Sequence, residues 1–256
     1  MSETLTLERV QQNLGRLKLS RIPQVLPSQL TVAQERSQSH LSFLDELLEE
    51  EVAQKEQRRV ETSLKISGLP FIKSIDEYDF TFQPKLDRQK VMSLFDLTFI
   101  QRKENVLFLG PPGVGKTHLA VALAVKAAQA GQSICFTTMD QLVGKLKEDG
   151  RDGGRVKGRA YYRSAVTLVD EVGYTAVTRE ECNLFFRFVA ARYEKASTIL
   201  TSNKAFSDWT EFLHDPIIVT ALLDRLLHHS VVVNIKGNSY RLKGKTAAPE
   251  KEEKTE

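Results

Sequence analysis

The chain has little cysteine, no long apolar run and almost no net charge, and each lack removes a class of protein. Only 2 of its 256 residues are cysteine, Cys135 and Cys182. They stand alone and without metal-ligand spacing, so they read as reduced core thiols, not as a disulfide framework or a thiolate metal site. No apolar stretch approaches the length of a membrane span. The start, Met1-Ser2-Glu3-Thr4, is polar and acidic and unlike a secretory leader, so the expectation is a cytoplasmic protein with no membrane contact. The formal net charge is only +3, so any case for nucleic acid must rest on where the basic residues lie. No internal repeat is visible. With 41% hydrophobic residues, the length suits one α/β domain of substantial core plus a smaller appendage.

What is present is sharper. Gly110-Pro111-Pro112-Gly113-Val114-Gly115-Lys116-Thr117 follows the apolar run Val106-Leu107-Phe108-Leu109 and opens a helix-like stretch to Ala130. This is the phosphate-loop pattern in its required setting of strand, tight loop and helix. Glycines there let backbone N–H groups turn inward around a polyphosphate, and the helix N-terminus adds its positive end. Lys116 can reach the β- and γ-phosphates, and the Thr117 hydroxyl can hold Mg2+. An ordinary Gly/Pro turn would not explain why Lys and Thr occupy those two places. The segment from Gly110 to His118 is therefore the expected ATP or GTP cradle.

Around this motif the chain divides by pattern. Residues 1–67 read as helical, with Leu7, Val10, Leu14 and Leu17 at helical spacing, an interruption at Pro23 and Pro27, and then Leu41, Leu44, Leu48 and Val52 on one face. That region is either a small bundle with a solvated charged face or a docking and assembly module. Residues 68–84 read as a linker punctuated by Gly68, Pro70 and Pro84. Its aromatic run Tyr78-Asp79-Phe80-Thr81-Phe82 either packs beneath an adenine ring or covers an apolar edge. From 85 to 243, helices alternate with short buried strands. Lys85–Ile100 reads as one amphipathic helix, strands fall near 105–109, 133–138, 166–169 and 198–201, and Thr178-x-x-Glu181 is a capping box opening a long helix. This implies a doubly wound α/β fold with a parallel sheet. Val231–Ile235 and Ser239–Leu242 around Lys236-Gly237-Asn238 read as a terminal hairpin. Residues 244–256 carry no core pattern and read as a disordered tail.

Further chemistry lies downstream. Val166–Val169 ends in Asp170-Glu171, the expected second acidic element of a phosphate-loop fold, where Asp170 would hold Mg2+ through water and Glu171 would polarise the attacking water. The next strand ends in Thr201-Ser202-Asn203, and Asn203 can help place that water or merely cap a turn. Arg225, in an otherwise apolar helix, can reach a neighbouring subunit's γ-phosphate or pair within its own subunit, and Arg241 is a second candidate. His228 and His229 lack metal-ligand partners and read as surface or capping residues. Residues 145–163 are the most basic part, with Lys145, Lys147, Arg151, Arg155, Lys157 and Arg159 among four glycines. A pliable basic loop of this kind suits sequence-independent contact with DNA phosphates, against the plainer reading of a solvated connection.

With these residues in place, the chain resembles the IstB-like ATPases, helper proteins of bacterial insertion sequences, and more distantly the DnaC-type helicase loaders and DnaA initiators. The resemblance rests on Gly110–Ala120, Asp170-Glu171-Val172-Gly173-Tyr174, Thr201–Lys204, Asp224–His229 and Asn234–Leu242. It implies an AAA+ fold with an abbreviated lid and ATP bound between subunits of an oligomer. In that scheme Lys116 and Thr117 contact phosphate and metal, Asp170 is the Walker B acid, Glu171 the hydrolytic residue, Asn203 sensor 1 and Arg225 the arginine finger. The implied partners are double-stranded DNA, further copies of the chain and an IstA-type transposase. The alternative is a helicase loader whose partner is a replicative helicase ring.

Overall fold

The computed structural model describes residues 3–151 and 159–242. The expected tail from 244, and Arg155 and Lys157 of the basic segment, lie outside the described residues. The chain forms two compact units, Met1–Thr62 and Ser63–Glu256.

The first unit contains α1 (Glu3–Arg16), α2 (Ile22–Glu35) and most of α3 (His40–Ile66). Ile22, Leu26 and Leu47 form its small core, with Leu7, Leu14, Leu19, Val25 and Phe43 packed around them. Pro27 does not interrupt the pattern as expected, because α2 runs through it, and Pro23 sits in the first turn, where no N–H is needed. That helix has no side-chain cap of its own. Instead the Glu51 carboxylate, brought from α3 and buried, accepts the N–H groups of Ser20 (3.0 Å), Arg21 (2.7 Å) and Ile22 (3.1 Å). Burial works to raise its pKa, but the bonds from Ile22, Arg21 and Ser20, with Lys55 nearby, outweigh that and hold it below the usual value. The stabilisation is therefore complete above the ordinary carboxylate range and lost as pH falls through the depressed folded value. Glu51→Gln is expected to cost this unit about 2 kcal/mol at neutral pH, read as a lower urea midpoint. Equal midpoints at pH 7 would show that the charge contributes nothing. The stripe Leu41, Leu44, Leu48 and Val52 is exposed along α3, so it is not this unit's core face.

The second unit is built on a five-stranded parallel sheet with strands in the spatial order Ile134–Thr138, Val166–Val172, Ser197–Ser202, Asn105–Leu109 and Ser230–Asn234. Before the sheet come α4 (Arg88–Leu94) and α5 (Thr98–Gln101), where a single helix was expected. Asp87 caps the first, and Leu97 at φ 60° breaks the run between them. The alternating elements follow as β1 (Asn105–Leu109), α6 (Lys116–Gln129), β2 (Ile134–Thr138), α7 (Met139–Arg151), α8 (Ala160–Arg163), β3 (Val166–Val172), α9 (Arg179–Arg192) and β4 (Ser197–Ser202). Then come α10 (Trp209–Leu213), α11 (Pro216–His228) and β5 (Ser230–Asn234).

Strands β1 and β4 are buried along their whole length, as central parallel strands covered on both faces must be. Their alternation divides two cores. Val106 and Phe108 face the cluster of α6, with Leu119 and Leu123, while Leu107 and Leu200 face Phe185, Phe188, Trp209 and Leu222. The fold is thus the expected α/β type, with helices on both faces. Cys182 is buried, its pKa pushed up to about 11 by burial and Asp215, and Cys135 is half-buried. Among the described residues no helix is long and apolar enough to cross a membrane.

The terminal hairpin is not formed. β5 lies parallel to β1, Asn105 opposite Ser230 through Leu109 opposite Asn234, and covers its open edge. Ile235 continues that ladder, its N–H donating to Leu109 O at 2.8 Å. The chain then crosses back over the loop after β1, and Tyr240–Leu242 forms a single 3-10 turn whose Tyr240 N–H donates to Gly113 O at 2.9 Å. β5 thus pairs with β1 and not with the segment that follows it.

Candidate active site

The carboxyl ends of β1, β3 and β4 converge on one cavity of about 360 Å³. Such sheets gather ligands at that edge because the loops there carry inward-pointing N–H groups and helix N-termini. The loop Gly110–Gly115 is shaped by contacts as much as by conformation. Gly113 has φ 80°, and a Cβ there would lie 2.0 Å from Ser239 Oγ. Gly115 has φ 96°, and a Cβ would lie 2.6 Å from the Tyr78 ring. Both backbone freedom and the missing side chain are needed at these two positions.

At the first turn of α6, Lys116 Nζ donates to the loop's own carbonyls, Gly110 O at 2.8 Å and Pro111 O at 2.9 Å. Its pKa is lowered, chiefly by burial; Asp170 opposes the shift and Arg241 adds to it. Thr117 Oγ1 donates to Asp170 Oδ1 at 2.9 Å. Asp170, itself buried, also accepts from the Thr201 hydroxyl, and Glu171 N–H donates to Thr201 Oγ1 at 3.1 Å. One hydroxyl on β4 thus ties both acids of β3 into place. The sequence marks Thr201 as part of a strand end and of the motif Thr201–Lys204 without giving it this role; a β-branched hydroxyl at that register was the available signal.

The position of Glu171 has a backbone cause that the sequence did not reveal. Between Val169, opposite Leu200, and Val172, opposite Ser202, β3 has one residue more than β4. The extra residue makes a bulge, and Glu171 sits there at φ 62° in the left-handed region. A bulge re-aims a side chain, and a non-glycine residue held at positive φ is strained, of order 1–3 kcal/mol. Here the bulge exposes Glu171 to the cavity while Asp170 stays buried against Thr117. Asn203 also lines the cavity, and its buried Oδ1 has no hydrogen-bond partner among the described residues. A buried acceptor left unpaired costs about 1–3 kcal/mol, which a hydrogen-bonding ligand would relieve.

Aromatic residues form the other end of the cavity. Tyr78 and Phe82 line it with Tyr240, whose ring lies 5.0 Å from that of Phe82. Tyr78 also braces the loop, its hydroxyl donating to Val114 O at 3.2 Å, and burial followed by Asp79 pushes its pKa up to about 12. His118 faces Tyr78 edge-on, and burial is the largest influence lowering its pKa. Arg241 enters the same cavity from the final 3-10 turn.

Comparison with known proteins gives the family. A family model described as IstB-like ATP binding protein matches residues 12–248. The chain belongs to this family. It is 47% identical over 238 residues to a Pseudomonas aeruginosa protein named as an ATP-binding protein of insertion sequence IS21, covering 92% of this chain and 89% of that one. It is 41% identical over 246 residues to the corresponding IS5376 protein of Geobacillus stearothermophilus, covering 96% and 98%. The crystal structure of the DnaC helicase loader superposes with a TM-score of 0.51 at 21% identity, covering 66% of this chain and 97% of that one. The last likeness concerns the fold alone. IstB-like family, AAA+ fold and phosphate loop together make the chain an ATPase.

Two groups of expected site residues lie away from the cavity. Arg225 is not among its lining residues; its guanidinium carbon lies 4.9 Å from the centre of the Phe186 ring, and Nη1 donates to Ala221 O at 2.9 Å. The expected pliable segment 145–163 is helical at both ends, as α7 and α8. Within it Lys145 is exposed, whereas Lys147 pairs with Glu181 at 2.7 Å and Arg159 with the buried Asp149 at 2.8 Å. The side chain of Arg151 lies outside the described residues.

Proposed function

We propose that this ATPase is a helper of transposition: it assembles on double-stranded DNA with ATP between subunits, remodels it, and stimulates a partner transposase of the IstA type. The observation that carries the catalytic half is the network Thr117–Asp170–Thr201–Glu171 at the foot of the phosphate loop. Mg2+ would be held by the Thr117 hydroxyl and Asp170 and would supply positive charge against the phosphates. The donor set fits that ion, since both groups offer oxygen and already stand together. Lys116, whose Nζ donates to the carbonyls of Gly110 and Pro111, would turn to the phosphate oxygens of a bound nucleotide. Glu171, freed by the bulge, accepts a proton from the attacking water, and Asn203 Oδ1 orients that water. Tyr78, Phe82 and Tyr240 supply apolar surface for the base.

The transposition half rests on family membership and on relatives named for insertion sequences. DNA contact is assigned to Lys145, Arg151, Arg155 and Lys157, with Arg159 and Lys147 holding the base of the segment through Asp149 and Glu181. Replacing Lys145, Arg155 and Lys157 with Ala is expected to weaken duplex binding at every sequence and reduce the slope of log affinity against log salt by about 3. Unchanged affinity and slope in a fluorescence-anisotropy titration would remove DNA from this segment. Affinity capture from cells expressing the neighbouring genes tests the partner. A transposase retained in an ATP-dependent manner supports the proposal, and a replicative helicase in its place makes the protein a loader.

A further inference from the structure

The amino ends of the strands, opposite the phosphate loop, hold a second cluster of chemistry. α9 ends at Arg192, and two residues later Glu194 adopts a left-handed backbone, φ 55°, before β4 begins. α11 ends at His228, followed by His229 and then β5. The sheet order places β4 and β5 on either side of β1, so these two junctions become neighbours although more than thirty residues separate them in sequence. The Nε2 of His229 stands 3.6 Å from Glu194 Oε1, and the rings of His228 and His229 lie 4.0 Å apart. One donor atom from each of the three residues falls within 4.8 Å of the others, and all three side chains are exposed.

We propose that Glu194, His228 and His229 form a binding site for a divalent transition metal of the zinc class. Two imidazoles and one carboxylate suit Zn2+, Co2+ or Ni2+, whereas Mg2+ and Ca2+ prefer oxygen alone. Donors around a tetrahedral zinc stand about 3.3 Å apart, so the three must draw in by about 1.5 Å at most, which exposed side chains on fixed backbones do by small rotations. The backbone is fixed on one side because Asn105 N–H donates to His229 O at 2.8 Å at the start of β1. A supporting contact is also in place: His228 Nδ1 lies 2.6 Å from the Tyr193 hydroxyl. When Nδ1 carries the proton and donates to that oxygen, Nε2 holds the free lone pair; when it does not, Nδ1 itself has one to offer a metal. A plain Glu194–His229 ion pair would not require a second imidazole at the same point. Three ligands leave a fourth position for water or for a side chain of another molecule. Occupancy would tie the end of α11 to the end of α9, three residues beyond Arg225.

The test is titration of the nucleotide-free protein with Co2+, followed by visible absorption and repeated with Zn2+ by calorimetry. One equivalent is expected to saturate, with the absorption bands of a low-coordinate cobalt site. His229→Gln and Glu194→Gln, both exposed changes whose folding circular dichroism checks, should each weaken binding at least about tenfold. Asp170→Asn should leave binding unchanged. Absence of saturation up to millimolar metal, binding indifferent to the two variants, or binding lost in Asp170→Asn would each overturn the site.

Discussion

Glu171→Gln is expected to bind ATP as tightly as the parent while turnover falls about 10²–10⁴-fold, a loss of roughly 3–5 kcal/mol of transition-state stabilisation. The substitution keeps side-chain shape and the N–H bond to Thr201, so the bulge in β3 persists. What disappears is an oxygen basic enough to take a proton from water. Phosphate release and the fluorescence of a labelled ATP analogue measure the two quantities separately. A second variant isolates strain from chemistry. Glu171→Gly removes both the carboxylate and the cost of holding a side chain at φ 62°, so it should be equally slow yet about 1 kcal/mol more stable. A Gln variant turning over at the parental rate would take the general-base role away from Glu171.

That experiment bears on what could be read before the fold was known. The phosphate loop was legible because its chemistry is local: glycine, lysine and threonine at fixed offsets, between a buried strand and a helix. The capping box at Thr178 and Glu181 is of the same kind, and both of its hydrogen bonds are present. The bulge was not legible, because one extra residue in β3 is defined only against β4. Nor was the direction of β5. Val231–Ile235 and Ser239–Leu242 satisfy a hairpin pattern locally, and only the open edge of β1 decides for a parallel strand. The basic segment shows the same limit. The sequence shows Lys147 and Arg159 in a basic run, but only the fold pairs Lys147 with Glu181 and Arg159 with the buried Asp149. Glu194 beside His228 and His229 is a juxtaposition of the same kind, defined only by the order of the strands.

Arg225→Ala is expected to lower turnover by about 10³–10⁵-fold with ATP affinity little changed, the range for loss of a cation lent to the transferring phosphoryl group. The argument is geometric. Arg225 does not line its own subunit's cavity; it lies on Phe186 and donates to the Ala221 carbonyl one turn back on its own helix. A head-to-tail assembly would carry it to the next subunit's cavity. The packing on Phe186 is worth only about 0.5–1 kcal/mol, so the variant should fold normally. Mixing then separates the two positions of action. Arg225→Ala subunits keep Glu171, and Glu171→Gln subunits keep Arg225. In a one-to-one mixture about a quarter of the interfaces join an intact cavity to an intact arginine, and activity should rise far above that of either variant alone. Co-assembly is verified by size-exclusion chromatography of differently tagged subunits. If the subunits mix and activity does not recover, Arg225 works within its own chain and the cation at the phosphates must come from elsewhere, with Arg241, already at the cavity wall, the residue to replace next.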